Sequence, residues 1–159
     1  MIQITDIPDW VIKLSKLRAA KLGKLNNSIT SGGGNIAGYL GQIIVARYLK
    51  ATDIDDFNYD ILKGDVRYEV KTKRCTSEPK PDYECSVAAA NTRQKCDYYI
   101  FVRVLEDMSC AWILGRKSPT DYYKQARFCK KGEVDPKSSF GWKFKGDCYN
   151  LEIKDLDEI

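Results

Sequence analysis

Residues 35–50 constrain this chain more than any other segment. Ile36, Leu40, Ile43, Ile44 and Tyr48 recur at the helical period, and Ala37, Val45, Ala46 and Leu49 widen the stripe until little of the circumference is polar. A helix that apolar must be covered on most sides, so the rest of the chain has to wrap it. Residues 9–25 offer one cover, an amphipathic helix. Trp10, Ile12, Leu14, Leu17, Leu22 and Leu25 supply its apolar surface. Lys13, Lys16, Arg18, Lys21 and Lys24 give it five positive charges, with no acid between 11 and 24. The polar, Gly-rich stretch 26–35 between the two reads as a loop.

Strand-like segments supply the remaining cover. Acidic Asp53-Ile-Asp-Asp56 reads as a turn, followed by short strands at about 57–62, 65–73, 83–90, 97–105 and 110–114. Pro79 and Pro81 mark a loop. Residues 119–130 read as a helix with Pro119 in its first turn, Gly132 and Pro136 break the pattern, and a last strand runs through 149–153. With no internal repeat or low-complexity tract, 1–159 is expected to form a single α/β domain.

Histidine is absent from all 159 residues. That excludes Ser-His-Asp and Cys-His nucleophiles, His-ligated zinc and any histidine base. Chemistry must come from carboxylates, Lys, Arg, Tyr, Cys or amides. Six cysteines (75, 85, 96, 110, 129 and 148) contain no C-x-x-C pair, which removes zinc-ribbon and thioredoxin-type readings. Reduced, mostly buried thiols are expected. No apolar run approaches the roughly 20 residues that cross a bilayer, and Met-Ile-Gln-Ile-Thr-Asp lacks the features of a signal peptide. A cytoplasmic protein without a membrane partner is therefore expected.

The net charge of +4 conceals an uneven distribution. Residues 110–145 hold nine Lys and Arg against three acids, whereas the tail 146–159 is acidic. Charge runs are usually solvated faces, but this one also suits a polyanion. Tyr122, Tyr123, Trp142 and Phe144 lie among those cations and are candidate nucleic-acid contacts, while Tyr98, Tyr99 and Trp112 sit in apolar runs and read as core.

The sharpest chemical signal is Asp60-Ile-Leu-Lys-Gly-Asp-Val-Arg-Tyr-Glu-Val-Lys-Thr-Lys-Arg74. Along a strand over 66–72, Val66, Tyr68, Val70 and Thr72 point one way and Arg67, Glu69 and Lys71 the other. A turn at Gly64-Asp65 folds Asp60 back towards Glu69. Two carboxylates and a backbone carbonyl form a hard oxygen site of the kind Mg²⁺ prefers. A lysine beside such a site can orient a water or neutralise phosphate charge, so phosphodiesters can be hydrolysed without histidine. The plain alternative is a solvent-facing Glu-Lys pair.

Asp60…Glu69-Val70-Lys71 resembles the PD-(D/E)xK nuclease superfamily. The surrounding order resembles that family's core: a helix, a three-stranded antiparallel meander, a connecting helix and a further strand. The likeness covers about 35–104, and 110–153 resembles more loosely the C-terminal parts of small phage- or mobile-element-encoded nucleases. It implies a restriction-endonuclease-like fold, a mixed central sheet flanked by helices, with a basic N-terminal helix and a basic C-terminal extension over 110–159. It implies metal ligation by Asp60, Glu69 and the Val70 carbonyl, and a catalytic Lys71. Gln42 stands where the family often has a glutamate, and Gln94 lies where it places a residue near the scissile phosphate. Lys73, Arg74, Arg93 and Lys95 would contact the nucleic acid. The implied activity is a Mg²⁺-dependent DNA endonuclease, with Mn²⁺ able to substitute. It would act in the cytoplasm, the host's if phage-encoded, and as a homodimer if it cuts two strands as many members do. Because Gln42 carries no charge, the alternative is an inactive nuclease-fold protein that binds nucleic acid or inhibits.

Gly32-Gly-Gly-Asn-Ile-Ala37 loosely matches a dinucleotide fingerprint, but no apolar strand precedes it and no G-K-[ST] follows. A flexible connection is the better reading.

Overall fold

The computed structural model describes residues 1–22, 35–54 and 56–159. The expected Gly-rich loop, Leu25, Lys24 and Asp55 lie outside them.

The buried helix forms as its periodicity predicts. It is α2 (Asn35–Leu49), and nine of its residues are buried, from Ala37 to Leu49. The basic helix α1 (Asp9–Leu22) packs on it through Val11, Ile12 and Leu14, with fully buried Ser15 returning its hydroxyl to the Val11 carbonyl. Its apolar face is narrower than expected, because Trp10, Leu17 and Leu22 are exposed. The Arg47 guanidinium lies over the Trp10 ring, 5.0 Å from its centre. Arg18 also leaves the free basic face, since it pairs with Asp53 at 2.6 Å.

A six-stranded sheet lies beneath these helices. Its strands, in spatial order, are β1 (Ile2–Ile4), β7 (Ala111–Lys117), β6 (Tyr98–Leu105), β4 (Val66–Cys75), β3 (Ile61–Lys63) and β2 (Thr52–Asp53). All neighbours are antiparallel except β4 and β6, which run parallel in an eight-residue register from Tyr68↔Tyr98 to Cys75↔Leu105. The β3–β4 hairpin turns at Gly64 and Asp65, with Gly64 at φ +58°, the backbone a two-residue hairpin asks of glycine. β6 is buried on both faces, which explains its almost continuous apolar run.

Helices α1 and α2 flank one face of the mixed sheet. The other face is covered by α3 (Pro119–Gln125) and by a smaller antiparallel sheet. Its strands are β5 (Glu84–Ala88), β9 (Cys148–Glu152) and β8 (Arg127–Cys129), in that order. Two cores result. One joins α1 and α2 to Tyr68, Val70, Ile100, Val102 and Ile113, and the other joins Tyr99, Phe101, Trp112 and Leu114 to Cys85, Val87, Tyr122 and Leu151.

Several expected elements are corrected. The helix over 119–130 stops at Gln125, because Ala126 turns extended and Arg127–Cys129 pair with β9. No connecting helix joins β4 to β6; the link is β5 and a single 3₁₀ turn, Ala89–Asn91. The expected strand at 57–62 shrinks to Ile61–Lys63, and part of the acidic turn is strand β2. All six cysteines are free thiols, four of them buried. Burial pushes the Cys85 thiol up to about 12 and Cys148 to about 11, so both stay protonated. No helix among the described residues is long and apolar enough to cross a membrane.

Two glycines of α2 separate propensity from packing. A methyl at Gly41 would lie 2.1 Å from Thr72 Oγ1 and 3.1 Å from its Cβ and Cγ2, and turning the Thr72 side chain leaves its Cβ in that tight contact. A methyl at Gly38 meets nothing within 4 Å. Alanine gains about 1 kcal/mol of helix propensity at either site, whereas overpacking at Gly41 costs ~1–3 kcal/mol. Chemical denaturation is therefore expected to show Gly38→Ala stabilised and Gly41→Ala destabilised; equal shifts would contradict the close approach of α2 to β4.

The start of β6 is pinned by Asp97. Its carboxylate accepts the Arg67 backbone N–H at 2.8 Å and two guanidinium bonds at 3.0 Å, while its own N–H donates to the Arg67 carbonyl. These bonds hold the Asp97 carboxyl below its usual range. A carboxyl depressed in the folded state stabilises above its unfolded pKa, near 3.9, and that contribution fades as pH falls through the folded value. Asp97→Asn is expected to flatten the acid limb of a stability–pH profile below about pH 4, while the wild type keeps falling.

Candidate functional site

β4 places its even-numbered side chains against α2 and its odd-numbered ones on the opposite face. Tyr68 and Val70 belong to the helix-side core. Glu69 and Lys71 project beside Tyr99, and the Lys71 ammonium lies 5.5 Å from that ring's centre. Neither is the solvated surface residue of the plain alternative, since their side chains are 9% and 12% exposed.

Both are held by Gln94. Lys71 Nζ donates to Glu69 Oε1 at 2.8 Å and to Gln94 Oε1 at 2.6 Å, and Gln94 Nε2 donates to the same Glu69 oxygen at 2.7 Å. The triangle is closed. It also fixes the amide's orientation, because a flipped Gln94 would set its oxygen against a carboxylate and its NH₂ against an ammonium. Gln94 Nε2 further donates to the Phe57 carbonyl at 3.2 Å, which ties the segment before β3 to the site.

Asp60 immediately precedes β3. Ile61 pairs with Tyr68, so Asp60 stands level with Glu69 across the hairpin. β4 runs on where β3 has no further partner, and the Asp60 carboxylate takes over by accepting the Val70 N–H at 2.8 Å. In an antiparallel ladder the amide and carbonyl of one residue face the same neighbour, so the Val70 carbonyl is directed to the same edge. Asp60, Glu69, Lys71, Gln94 and the Val70 backbone therefore gather as expected.

Gln42 does not join them. It is buried on α2, on the opposite face of the sheet, and its Nε2 donates to Asp53 Oδ1 at 2.7 Å. Asp53 receives Arg18 on its other oxygen, so Gln42 helps fasten α1, α2 and β2 together. Its proximity to the site was inferred from the family's order, and the packing of α2 on the even face of β4 overrules it. Among the described residues no group of three or more His, Cys, Asp or Glu that could hold a metal comes together, and the described part of the site has two carboxylates.

The expected nucleic-acid contacts divide. Lys73 and Arg74 are exposed on opposite faces of β4, and Arg93 and Lys95 are exposed on either side of Gln94. Tyr122 is fully buried and donates to the Cys85 or Tyr149 carbonyl, Tyr123 hydrogen-bonds with Tyr99, and Phe144 is buried against Cys129 and Cys148. These three serve the core, and only Trp142 of that set reaches solvent substantially. Sequence reasoning passed over Cys96, which lies close enough to Glu69 and Lys71 to feel both. Burial and then the Glu69 charge push its thiol up to about 12, so it contributes no thiolate.

No family model matches the chain, and neither does any curated protein.

A buried ion pair is a poor stabiliser, since well-packed apolar residues of similar volume serve as well or better. Removing one partner is worse, because it leaves the other charge buried. Lys71→Ala is expected to lower stability by roughly 3 kcal/mol, whereas Glu69→Leu with Lys71→Met costs little or stabilises. Urea denaturation checks this, and a double variant at least as damaged as the single would show that the pair serves the fold.

Proposed function

We propose that this chain is a divalent-metal-dependent DNA endonuclease of the PD-(D/E)xK type. The observation that carries the reading is the convergence of Asp60, Glu69 and Lys71 at one edge of the β3–β4 hairpin, with Gln94 closing the group. The meander β2–β3–β4 followed by the parallel partner β6 supports the same reading, since it matches the strand order that the resemblance implies. The link of β5 and a 3₁₀ turn departs from it.

The donor set fits a hard cation. Asp60, Glu69 and the Val70 carbonyl offer only oxygen, the donor type that Mg²⁺ prefers. Bound there, Mg²⁺ or Mn²⁺ would lower the pKa of a water and offset charge on the phosphoryl group. The chain's own residues do the remaining work. Lys71 donates hydrogen bonds to an attacking water or a phosphate oxygen and keeps its positive charge near the developing negative charge. Gln94 holds Lys71 and Glu69 in one geometry, so neither has to reorganise as the reaction proceeds. Exposed Lys73, Arg93 and Lys95 meet the backbone without reading bases.

A second reading rests on Gln42, which lies on the far side of the sheet and leaves the site with two acids among the described residues. A catalytically inactive nucleic-acid-binding or inhibitory protein would show metal-independent DNA binding and no cleavage.

Plasmid and branched DNA incubated with Mg²⁺ or Mn²⁺ decide between them. Glu69→Gln and Lys71→Met are each expected to lower the cleavage rate by ~10²–10⁴-fold. Equal cutting by wild type and both variants would reject the assignment.

A further inference from the structure

The most exposed aromatic among the described residues lies far along the chain from the candidate catalytic group, in a segment built to hold it there. Phe140 is 97% exposed, and Phe128 and Trp142 are each 47% exposed. Residues 132–144 form a small hairpin. Gly132 N–H donates to the Phe144 carbonyl, Phe144 N–H to Glu133, and Asp135 N–H to Trp142, with Val134 bridged to Lys143. The tip is tied as well, because Ser138 Oγ accepts the N–H groups of Trp142 at 2.9 Å and Phe140 at 3.3 Å. Gly141 makes the return at φ +67°. At the base, Phe144 is buried against Cys129 and Cys148 and meets the Trp142 ring edge-on at 5.2 Å. Phe140 and Trp142 are therefore held on an ordered backbone, outside any core.

Lysines outnumber acids around them. Glu133, Asp135 and Asp147 keep their charge, but each is turned to a backbone N–H, that of Lys130, Lys137 and Lys131 respectively. The ammonium groups of Lys130, Lys131, Lys143 and Lys145 are on exposed residues, and none of the ion pairs among the described residues includes them. Exposed ring faces among lysines that no ion pair among the described residues holds complement a polyanion that also carries flat apolar surfaces. A duplex hides those surfaces in its stack, whereas an unpaired strand presents them.

We propose that the 132–144 hairpin binds single-stranded DNA. Phe140 and Trp142 stack on unpaired bases, and Lys130, Lys131, Lys143 and Lys145 neutralise the adjoining phosphates. The proposal rests on the nuclease reading and deepens it by naming a substrate feature, an unpaired segment in the DNA. Binding is measured on the full chain in EDTA, where no cleavage interferes, with labelled single-stranded and duplex oligonucleotides of equal length. Single strands are expected to bind more tightly than duplex, with an affinity that falls steeply as salt rises. Phe140→Ala and Trp142→Ala should each weaken single-strand binding by ~5–100-fold, and Phe140→Trp should restore it. Phe140 buries nothing, so its substitution tests binding and not folding. Unchanged affinity in both alanine variants, duplex binding as tight as single-strand binding, or no binding at all would overturn the proposal. The two readings fail separately. A chain that binds through Phe140 but never cuts loses the catalytic assignment, and one that cuts but ignores Phe140→Ala loses the stacking surface.

Discussion

The register of β4 is the constraint on which the rest of the structure depends. Its even positions close the core beneath α2, and its odd positions carry Glu69, Lys71 and Lys73 on the other face. A slip of one residue would turn those three charges to the α2 side and Tyr68 and Val70 outward. Three features hold the register in place: the Gly64 turn, the Asp60 carboxylate on the Val70 amide, and Asp97 bound at once to the backbone and side chain of Arg67. Two of these belong to the site or border it. The geometry that aligns the carboxylates is thus the geometry that aligns the sheet.

The second sheet changes what the odd face can be. Helices alone would be the expected cover, but strands β5 and β9 join α3 in an aromatic and thiol-rich layer over β6 and β7. That layer ends at Tyr99 and Cys96, leaving Glu69 and Lys71 enclosed by partners and not by apolar side chains alone. Burial strengthens the Lys71–Glu69–Gln94 triangle electrostatically and makes it costly to break. It therefore supplies a preorganised group of fixed charges, at the expense of stability that an apolar patch would provide.

Much of this was legible in local pattern. The 3.6-residue period over 35–50, the alternation over 66–72 and the Gly64-Asp65 turn each reflect a force acting over a few residues, and each appears where expected. What was not legible depends on partners distant in sequence. β1, β2 and β8 have two or three residues apiece, too few for any period to show, and exist because β7, β3 and β9 offer them an edge. Gln42 was misplaced for the same reason. Its position on α2 was clear, but which face of the sheet α2 covers is decided by the parity of β4. Tyr122 and Phe144 were misled by their charged neighbours, since cations nearby in sequence say nothing about where a ring points. Phe140 was overlooked, although Ser138 and Gly141 around it are the residues a tight hairpin tip uses.

Under the proposed function, Asp60 and Glu69 form one cation site at the edge of the β3–β4 hairpin. A crystal soaked in Mn²⁺ tests it most directly, through the anomalous signal of the ion. A peak is expected between the two carboxylates and within coordination distance of the Val70 carbonyl, lost in Glu69→Ala. Cleavage-competent crystals whose manganese lies elsewhere, or a peak that survives that substitution, would contradict it.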